Sequence, residues 1–123
     1  MIIVDTSVWV EHFRRGDATL VDLLNRNRVL AHSFVIGELS LGNLNARSAT
    51  MGLLNALPMA SVASDEEILH IIATKRLAGH GIGLVDAHLI ASAMMDTAQI
   101  YTRDKKLGQI AQQLKLKFAP TSG

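Results

Sequence analysis

Four carboxylates are the residues of this chain whose type and position best suit chemistry. They are Asp5, Glu38, Asp86 and Asp104. Asp5 directly follows residues 2–4, a run of β-branched side chains that is typical of a strand buried on both faces in a parallel sheet. Ligands of open α/β sheets bind outside the carboxyl ends of the strands. Asp5 is therefore a candidate for binding or catalysis, and the alternative is that it only caps the next helix.

The second carboxylate, Glu38, lies in the middle of a predicted helix that is apolar almost throughout. We predict that Ser33 caps this helix and that it ends near Gly42. Phe34 precedes Glu38 by four residues and Leu41 follows it by three, so they share one face, and we predict that Glu38 points inward. Because a buried carboxylate without a cation is costly, the choice is between a structural ion pair and a functional site.

The remaining two carboxylates each stand near the start of a predicted helix. Asp86 opens a helix that continues A-H-L-I-A-S-A-M-M, whose small and apolar residues predict almost complete burial. Asp104 follows a predicted strand and leads into a helix with Leu107 and Ile110 on one face. Taken alone, either aspartate could be a helix N-cap.

The elements that must position these residues alternate between strand and helix. Strands are predicted at residues 2–4, 29–31, 99–102 and 116–119, with a short edge strand at 59–63. Helices are predicted at residues 7–14, 17–25, 33–42, 46–57, 64–77 and 86–95 and after 104, with Asp17 as one cap and a loop at 43–45. The clearest start is Ser64, where S-D-E-E forms a capping box with Glu67. This alternation predicts an α/β fold with a mostly parallel sheet.

Composition limits the class of protein. The 123 residues fit one domain, 1–123, and 49% hydrophobic with 19% charged residues indicates a folded chain. The absence of cysteine excludes disulfides and thiolate zinc sites and is compatible with a reducing cytoplasm, where we expect the protein. We expect neither a signal peptide nor a membrane span, because no apolar run approaches about 18 residues. A net charge of +1 neither demands nor excludes nucleic acid.

The four carboxylates together predict a cation site. If they converge on one sheet edge without inward Lys or Arg, they repel one another, and a bound cation resolves the repulsion. All-oxygen ligands, with no cysteine and no histidines at zinc spacing, favour Mg²⁺ or Mn²⁺ over zinc. Paired metals about 4 Å apart activate water for in-line attack on a phosphodiester. The predicted chemistry is therefore hydrolytic phosphoryl transfer.

Other readings of the sequence are weaker. Residues 79–83 have the spacing G-x-G-x-G, which differs from the dinucleotide fingerprint and follows a helix, so a flexible loop is the better interpretation. A haloacid-type phosphatase would need Asp at the position of Ser7, and a phosphoacceptor receiver would need a pair of acids there. A non-catalytic binding module remains the alternative, although such a module would be expected to lose acids that are all present here.

The chain resembles a known family at all four carboxylates. The segments V-D-T-S-V-W, V-I-G-E-L, G-L-V-D-A-H-L-I-A-S-A and I-Y-T-R-D-K-K-L resemble the acidic motifs of the PIN-domain ribonucleases, particularly the VapC-type toxins. The resemblance implies a three-layer α/β/α sandwich around a central, mostly parallel sheet of four to five short strands. It also implies Mg²⁺- or Mn²⁺-dependent RNA cleavage, a homodimer and inhibition by an antitoxin protein. Asp5, Glu38, Asp86 and Asp104 match the family's catalytic and metal-binding acids.

Several neighbouring polar residues are candidates to support this site. By the same resemblance, Thr6 or Ser7 and Thr102 match the family's supporting hydroxyls, and the sequence leaves open whether Thr6 or Ser7 points into the site. RNA phosphates must be held by something besides metal. Arg103, Lys105 and Lys106 are the best placed for that role, with ordinary solvated charge as the alternative.

Apolar residues on the first helix and its neighbours predict association. Trp9 and Phe13 lie four residues apart on one face, and residues 34–57 add further apolar helical surface. This exceeds what a lone domain of this size needs, so we predict a dimer and a hydrophobic groove for an antitoxin helix.

Overall fold

The first strand forms the centre of a parallel sheet. The computed structural model describes residues 1–42 and 47–120, in which strand β1 (Ile2–Val4) pairs with β2 (Val29–Leu30) on one side and β3 (Gln99–Tyr101) on the other. Both pairings are parallel. All three residues of β1 are buried although successive side chains point to opposite faces, so both faces of the sheet are covered. This confirms the prediction made from the β-branched run.

Helices fill the connections between the strands. They are α1 (Thr6–Arg15), α2 (Ala18–Asn25), α3 (Ser33–Leu41), α4 (Arg47–Ala56), α5 (Asp65–Thr74), α6 (Leu84–Met95) and α7 (Lys105–Gln113). Helix α6 is buried from Ala87 to Ala93, as its small and apolar residues predict. The predicted loop at 43–45 and the first residue of the predicted helix at 46–57 lie outside the described residues. No helix in the described ranges is long and apolar enough to cross a bilayer.

The sheet has fewer full strands than the predicted four to five. Among the described residues three strands form, and the predicted strands at 59–63 and 116–119 are reduced to single bridges, Ala31 to Met59 and Ile100 to Lys117. One edge is short because Pro58 has no N–H and the Ser61 N–H donates to the Asp96 side chain at 2.8 Å, away from the sheet. Each edge segment still forms two backbone hydrogen bonds with its neighbour.

Helix starts agree with the predicted caps in two places and differ in one. The capping box of Ser64 and Glu67 is present, and the Asp17 side chain accepts from the Leu20 N–H. Helix α3, however, is capped by His32 and not by Ser33: the imidazole accepts from the Phe34 N–H at 3.1 Å. The prediction was wrong because hydroxyl residues are the usual caps, whereas a histidine ring nitrogen can serve only when it is neutral.

The aromatic pair of α1 belongs mainly to the core. Trp9 is 1% exposed and stacks on the partly buried Phe13 at a centroid distance of 5.8 Å. Trp9 therefore cannot supply an interaction surface, which corrects that part of the argument for a dimer. Exposed apolar area lies elsewhere, with Leu41 90%, Leu69 66% and Leu84 62% exposed.

Candidate active site

Asp5 leaves the central strand and is held there by two hydroxyl groups. Its Oδ2 accepts hydrogen bonds from Ser7 Oγ and from Thr102 Oγ1, both at 2.7 Å. Asp5 is buried and stands at the N-cap position of α1, yet its side chain makes no cap hydrogen bond. Capping therefore does not explain the carboxylate.

The same hydroxyls connect the ends of β1 and β3. Thr102 Oγ1 accepts from the Asp104 N–H at 3.0 Å, and Ser7 Oγ accepts from the Arg103 N–H at 3.0 Å. The two segments that carry Asp5 and Asp104 are thus joined by a short hydrogen-bond network, which forms because parallel strands end at the same edge of the sheet.

Asp104 does act as a helix cap. Its Oδ1 accepts from the Leu107 N–H at 2.9 Å at the start of α7, and the residue is exposed. One carboxylate oxygen is used in this way, while the charge of the group still acts on Asp86.

Asp86 is the most strongly perturbed of the four acids. It lies in the first turn of α6 and is partly buried, and the N-cap of that helix is Gly83. Burial, together with the negative charges of Asp5 and Asp104, raises the pKa of Asp86 to about 6. The charge of Glu38 also raises the pKa of Asp86, but less, whereas a hydrogen bond from the Gly83 backbone acts to lower it. The four acids therefore share one electrostatic site.

Glu38 reaches this site from the solvent side, which corrects the prediction that it points inward. The buried residues of α3 are Val35 and Leu39, and Glu38 is exposed together with Phe34 and Leu41, with which it shares a face. The shared face was predicted correctly, but it is the outer one. The Glu38 carboxylate accepts a hydrogen bond of 2.6 Å from Thr6 Oγ1.

Thr6 and Ser7 both face acidic residues. Thr6 binds Glu38, whereas Ser7 binds Asp5 and lies 3.4 Å from Thr102 Oγ1. The sequence could not decide between the two hydroxyls because adjacent residues at the start of a helix point in different directions, and here each direction meets a different carboxylate.

An ion pair beside the site, between the buried Asp17 and the exposed Arg103, was not predicted. Asp17 accepts from Arg103 Nη2 at 2.9 Å and from the Tyr101 hydroxyl at 2.9 Å. Burial acts to raise the pKa of Asp17, but hydrogen bonds from the Leu20 backbone, Arg103 and Tyr101 outweigh it and keep the pKa below its ordinary value. The Arg103 guanidinium, a candidate for RNA binding, is thus engaged with Asp17, whereas Lys105 and Lys106 are exposed. The sequence indicated Asp17 only as a helix cap and did not indicate its contact with Arg103.

The carboxylates suit a hydrated divalent cation. In the described ranges no three His, Asp or Glu side chains are close enough to enclose a metal by themselves. Mg²⁺ keeps several waters and takes only one or two carboxylates directly, so an open all-oxygen arrangement fits it. The raised pKa of Asp86 supports the same fit, because its cause is uncompensated negative charge together with burial.

An apolar groove lies next to the carboxylates and does not coincide with them. Its volume is about 210 Å³, and it runs between α5 and the start of α6, lined by Ile72, Leu77, Ile82, Leu84 and Ala87 among others.

Comparisons with known proteins agree on one family. The family model described as PIN domain matches residues 2–113. Ribonuclease VapC32 of Mycobacterium tuberculosis, found in strains H37Rv and CDC 1551, is 44% identical over 108 residues, which cover 87% of each chain. The crystal structure of FitAcB from Neisseria gonorrhoeae matches with a TM-score of 0.63 over 91% of this chain and 94% of that one. Its sequence identity of 23% means that this likeness concerns the fold alone.

Proposed function

Because the chain belongs to the PIN-domain family and its relatives there are VapC proteins, we propose that it is a cytoplasmic endoribonuclease, the toxin of a toxin–antitoxin pair. The observation that carries the proposal is the electrostatic coupling of Asp86 to Asp5, Asp104 and Glu38. None of these four carboxylates forms an ion pair with Lys or Arg in the described part of the chain, so their charge remains available to bind the metal ion that phosphodiester hydrolysis of this kind uses. We assign the activity to a single domain, residues 1–123.

We further propose that the four acids hold Mg²⁺ or Mn²⁺. When bound, such an ion lowers the pKa of an attacking water and neutralises charge at the phosphate. The protein's part is to hold the carboxylates in position. Ser7 and Thr102 both donate to Oδ2 of Asp5, which leaves Oδ1 free to act as a ligand.

The two exposed acids are also oriented by hydrogen bonds. Thr6 fixes one oxygen of Glu38, and the Leu107 N–H fixes one oxygen of Asp104. In each acid the second oxygen faces away from these donors and remains available. We propose that this use of one oxygen for orientation and one for binding is the common role of Thr6, Ser7 and Thr102.

The expected partners are RNA, an antitoxin protein and a second copy of the chain. The exposed Leu41, Leu69 and Leu84 supply apolar surface for association now that Trp9 is assigned to the core. We expect a dimer by light scattering at micromolar concentration without antitoxin, and a monomer under these conditions would contradict this part of the proposal.

The decisive experiment is cleavage of total cellular RNA by purified, antitoxin-free protein. Wild type is expected to cut with Mg²⁺ or Mn²⁺ and to stop in chelator. Asp5→Asn is expected to abolish cutting and to leave the circular dichroism spectrum unchanged, because it removes a ligand charge without removing volume. Asp22→Asn is the matched control, since Asp22 is exposed and paired only with Arg26 on α2.

Cleavage that resists chelator, or that survives Asp5→Asn, would overturn the proposed mechanism. RNA binding without cleavage at any metal concentration would instead support the alternative of a non-catalytic binding module.

A further inference from the structure

The glycine-rich loop before α6 has a backbone that most residues cannot adopt. Gly79 and Gly81 have φ values of 82° and 75°, in the left-handed region that favours glycine. The loop ends at Gly83, which caps α6 and donates a backbone hydrogen bond to Asp86. Its conformation is therefore connected directly to one of the four acids.

One lysine lies across this loop. A Cβ placed on Gly81 would stand 2.9 Å from Nζ of Lys106, 3.0 Å from its Cδ and 3.3 Å from its Cε. Real Cβ atoms essentially never show the first of these distances, so a side chain at position 81 would shift the flexible end of Lys106, which needs only a small movement. Lys106 belongs to the first turn of α7, two residues after Asp104. The contact therefore joins the segments that carry Asp86 and Asp104.

The Lys106 ammonium makes no ion pair with the side chains that the structure describes, which are those of residues 1–42 and 49–120. The ion pairs found among them are Arg15 with Glu11, Arg26 with Asp22, and Arg103 with Asp17. Of the basic residues that follow Thr102, Arg103 is thus already neutralised by a buried carboxylate. Lys106 makes none of these ion pairs, and its exposed side chain lies beside Gly81, two residues after Asp104.

An RNA strand needs such a cation at this place. Its phosphates are repelled by the four carboxylates wherever metal does not screen them, and affinity for nucleic acid comes mainly from phosphate contacts with Lys and Arg. A lysine ammonium suits a phosphate as a point charge with three donors.

We propose that Lys106 binds a phosphate of the RNA strand next to the bond to be cut, and that Gly81 leaves room for the end of that lysine beside the loop. This inference rests on the proposed function and adds to it a positioning residue for the substrate. Lys105, one residue earlier, is exposed. The three atoms nearest to a Cβ on Gly81 all belong to Lys106 and none to Lys105.

The first test measures binding of a fluorescein-labelled single-stranded RNA of mixed sequence to the full chain, in chelator, over a range of salt concentrations. Lys106→Met is expected to raise the Kd severalfold and to lower the slope of log K against log salt by about one, the loss of one phosphate contact. Lys105→Met carries the same change of charge and is expected to have a clearly smaller effect on both quantities.

The second test moves the lysine without removing its charge. Gly81→Ala is expected to weaken RNA binding, because the new Cβ displaces Lys106. Gly79→Ala is the matched control: its φ of 82° imposes a similar backbone strain, but nothing lies within 4 Å of its Cβ. In the double variant Gly81→Ala with Lys106→Met, the two losses should not add, since the glycine acts through the lysine.

Equal losses for Lys105→Met and Lys106→Met, or for Gly79→Ala and Gly81→Ala, would overturn the inference. If wild type cuts RNA and Lys106→Met binds it normally, the inference fails and the proposed function stands. If wild type binds RNA in a Lys106-dependent way but never cuts it, the nuclease proposal fails alone. A wild type that binds no RNA in chelator overturns the inference, whereas the proposed function is decided by the cleavage assay with Mg²⁺ or Mn²⁺.

Discussion

A single carboxylate, Asp86, makes the stability of the metal-free protein depend on pH. Its pKa is raised from 3.8 to about 6 by burial and by its acidic neighbours, so folding favours its protonated form. The stabilisation is therefore complete below about pH 4 and is lost as pH rises through about 6. We expect Asp86→Asn to remove this loss, as measured by urea unfolding in chelator at a series of pH values. An unchanged pH profile in the variant would show that Asp86 does not feel its neighbours.

His32 has the opposite effect in the same range. Its Nδ1 accepts from the Phe34 N–H and its Nε2 lies 2.8 Å from Ser92 Oγ, so the ring must be neutral to cap α3. Burial, assisted by the charge of His88, lowers the pKa of His32 to about 4. Stability from this residue is present above about pH 6.5 and is lost as pH falls through about 4.

Substitution distinguishes the contribution of His32 to the pH dependence of stability from that of Asp86. His32→Asn keeps a good N-cap but removes the titration, so its stability is expected to rise less steeply with pH than that of wild type between about pH 4 and 6.5. Some slope should remain, because burial also lowers the pKa of His88. The same unfolding series provides the measurement, and a variant as steep as wild type would assign the slope to other groups.

Helix α3 shows at the element scale what the sequence could and could not predict. The bounds of the helix and the sharing of a face by Phe34, Glu38 and Leu41 follow from spacing alone. The direction of that face does not, because a helix that is apolar on all sides gives no contrast between inside and outside. The predicted edge strand at 59–63 is shortened because the Ser61 N–H donates to the distant Asp96 side chain, which no local pattern indicates. The predicted strand at 116–119 is likewise reduced to one bridge, at Lys117.

The two apolar faces of α3 should respond differently to truncation. Leu39 is 1% exposed, so Leu39→Ala is expected to cost about 2–5 kcal/mol of unfolding free energy. Leu41 is 90% exposed, and Leu41→Ala is expected to change stability by less than about 0.5 kcal/mol. Urea unfolding of both variants tests the pair. Comparable losses would mean that the outer face is covered in the folded protein.

For the whole molecule, metal should reverse the order of stability among variants. In chelator at about pH 8, Asp86→Asn and Asp104→Asn are expected to melt above wild type, because each removes a like charge, and asparagine can still cap α7. Mg²⁺ at about 100 times its Kd should stabilise wild type by about 2.7 kcal/mol and the variants by clearly less. Melting curves with and without metal measure this. Three identical, metal-insensitive curves would reduce these aspartates to structural residues.

The parallel α/β plan was predictable because strand and helix patterns are local, and so was the nearness of Asp5 and the segment that leads to Asp104, because parallel strands end at the same edge of the sheet. The Asp17–Arg103 pair was not, since it joins residues 86 positions apart that no local pattern connects. Long-range polar contacts of this kind depend on how the elements pack, which a single sequence does not specify residue by residue.

The central position of β1 also bears on how the protein is made. Strand β1 is synthesised before β3 but completes its pairing only once β3 is present. Asp5 at its end also accepts a hydrogen bond from the Thr102 hydroxyl, 97 residues further along the chain. Synthesis proceeds from the N-terminus, and contacts so distant in sequence form late. A nascent or prematurely terminated chain that ends before Asp104 carries at most three of the four acids on an incomplete sheet. A chain that stops short of Thr102 is therefore expected to lack the proposed nuclease activity, because it has neither the fourth acid nor the hydroxyl that holds Asp5.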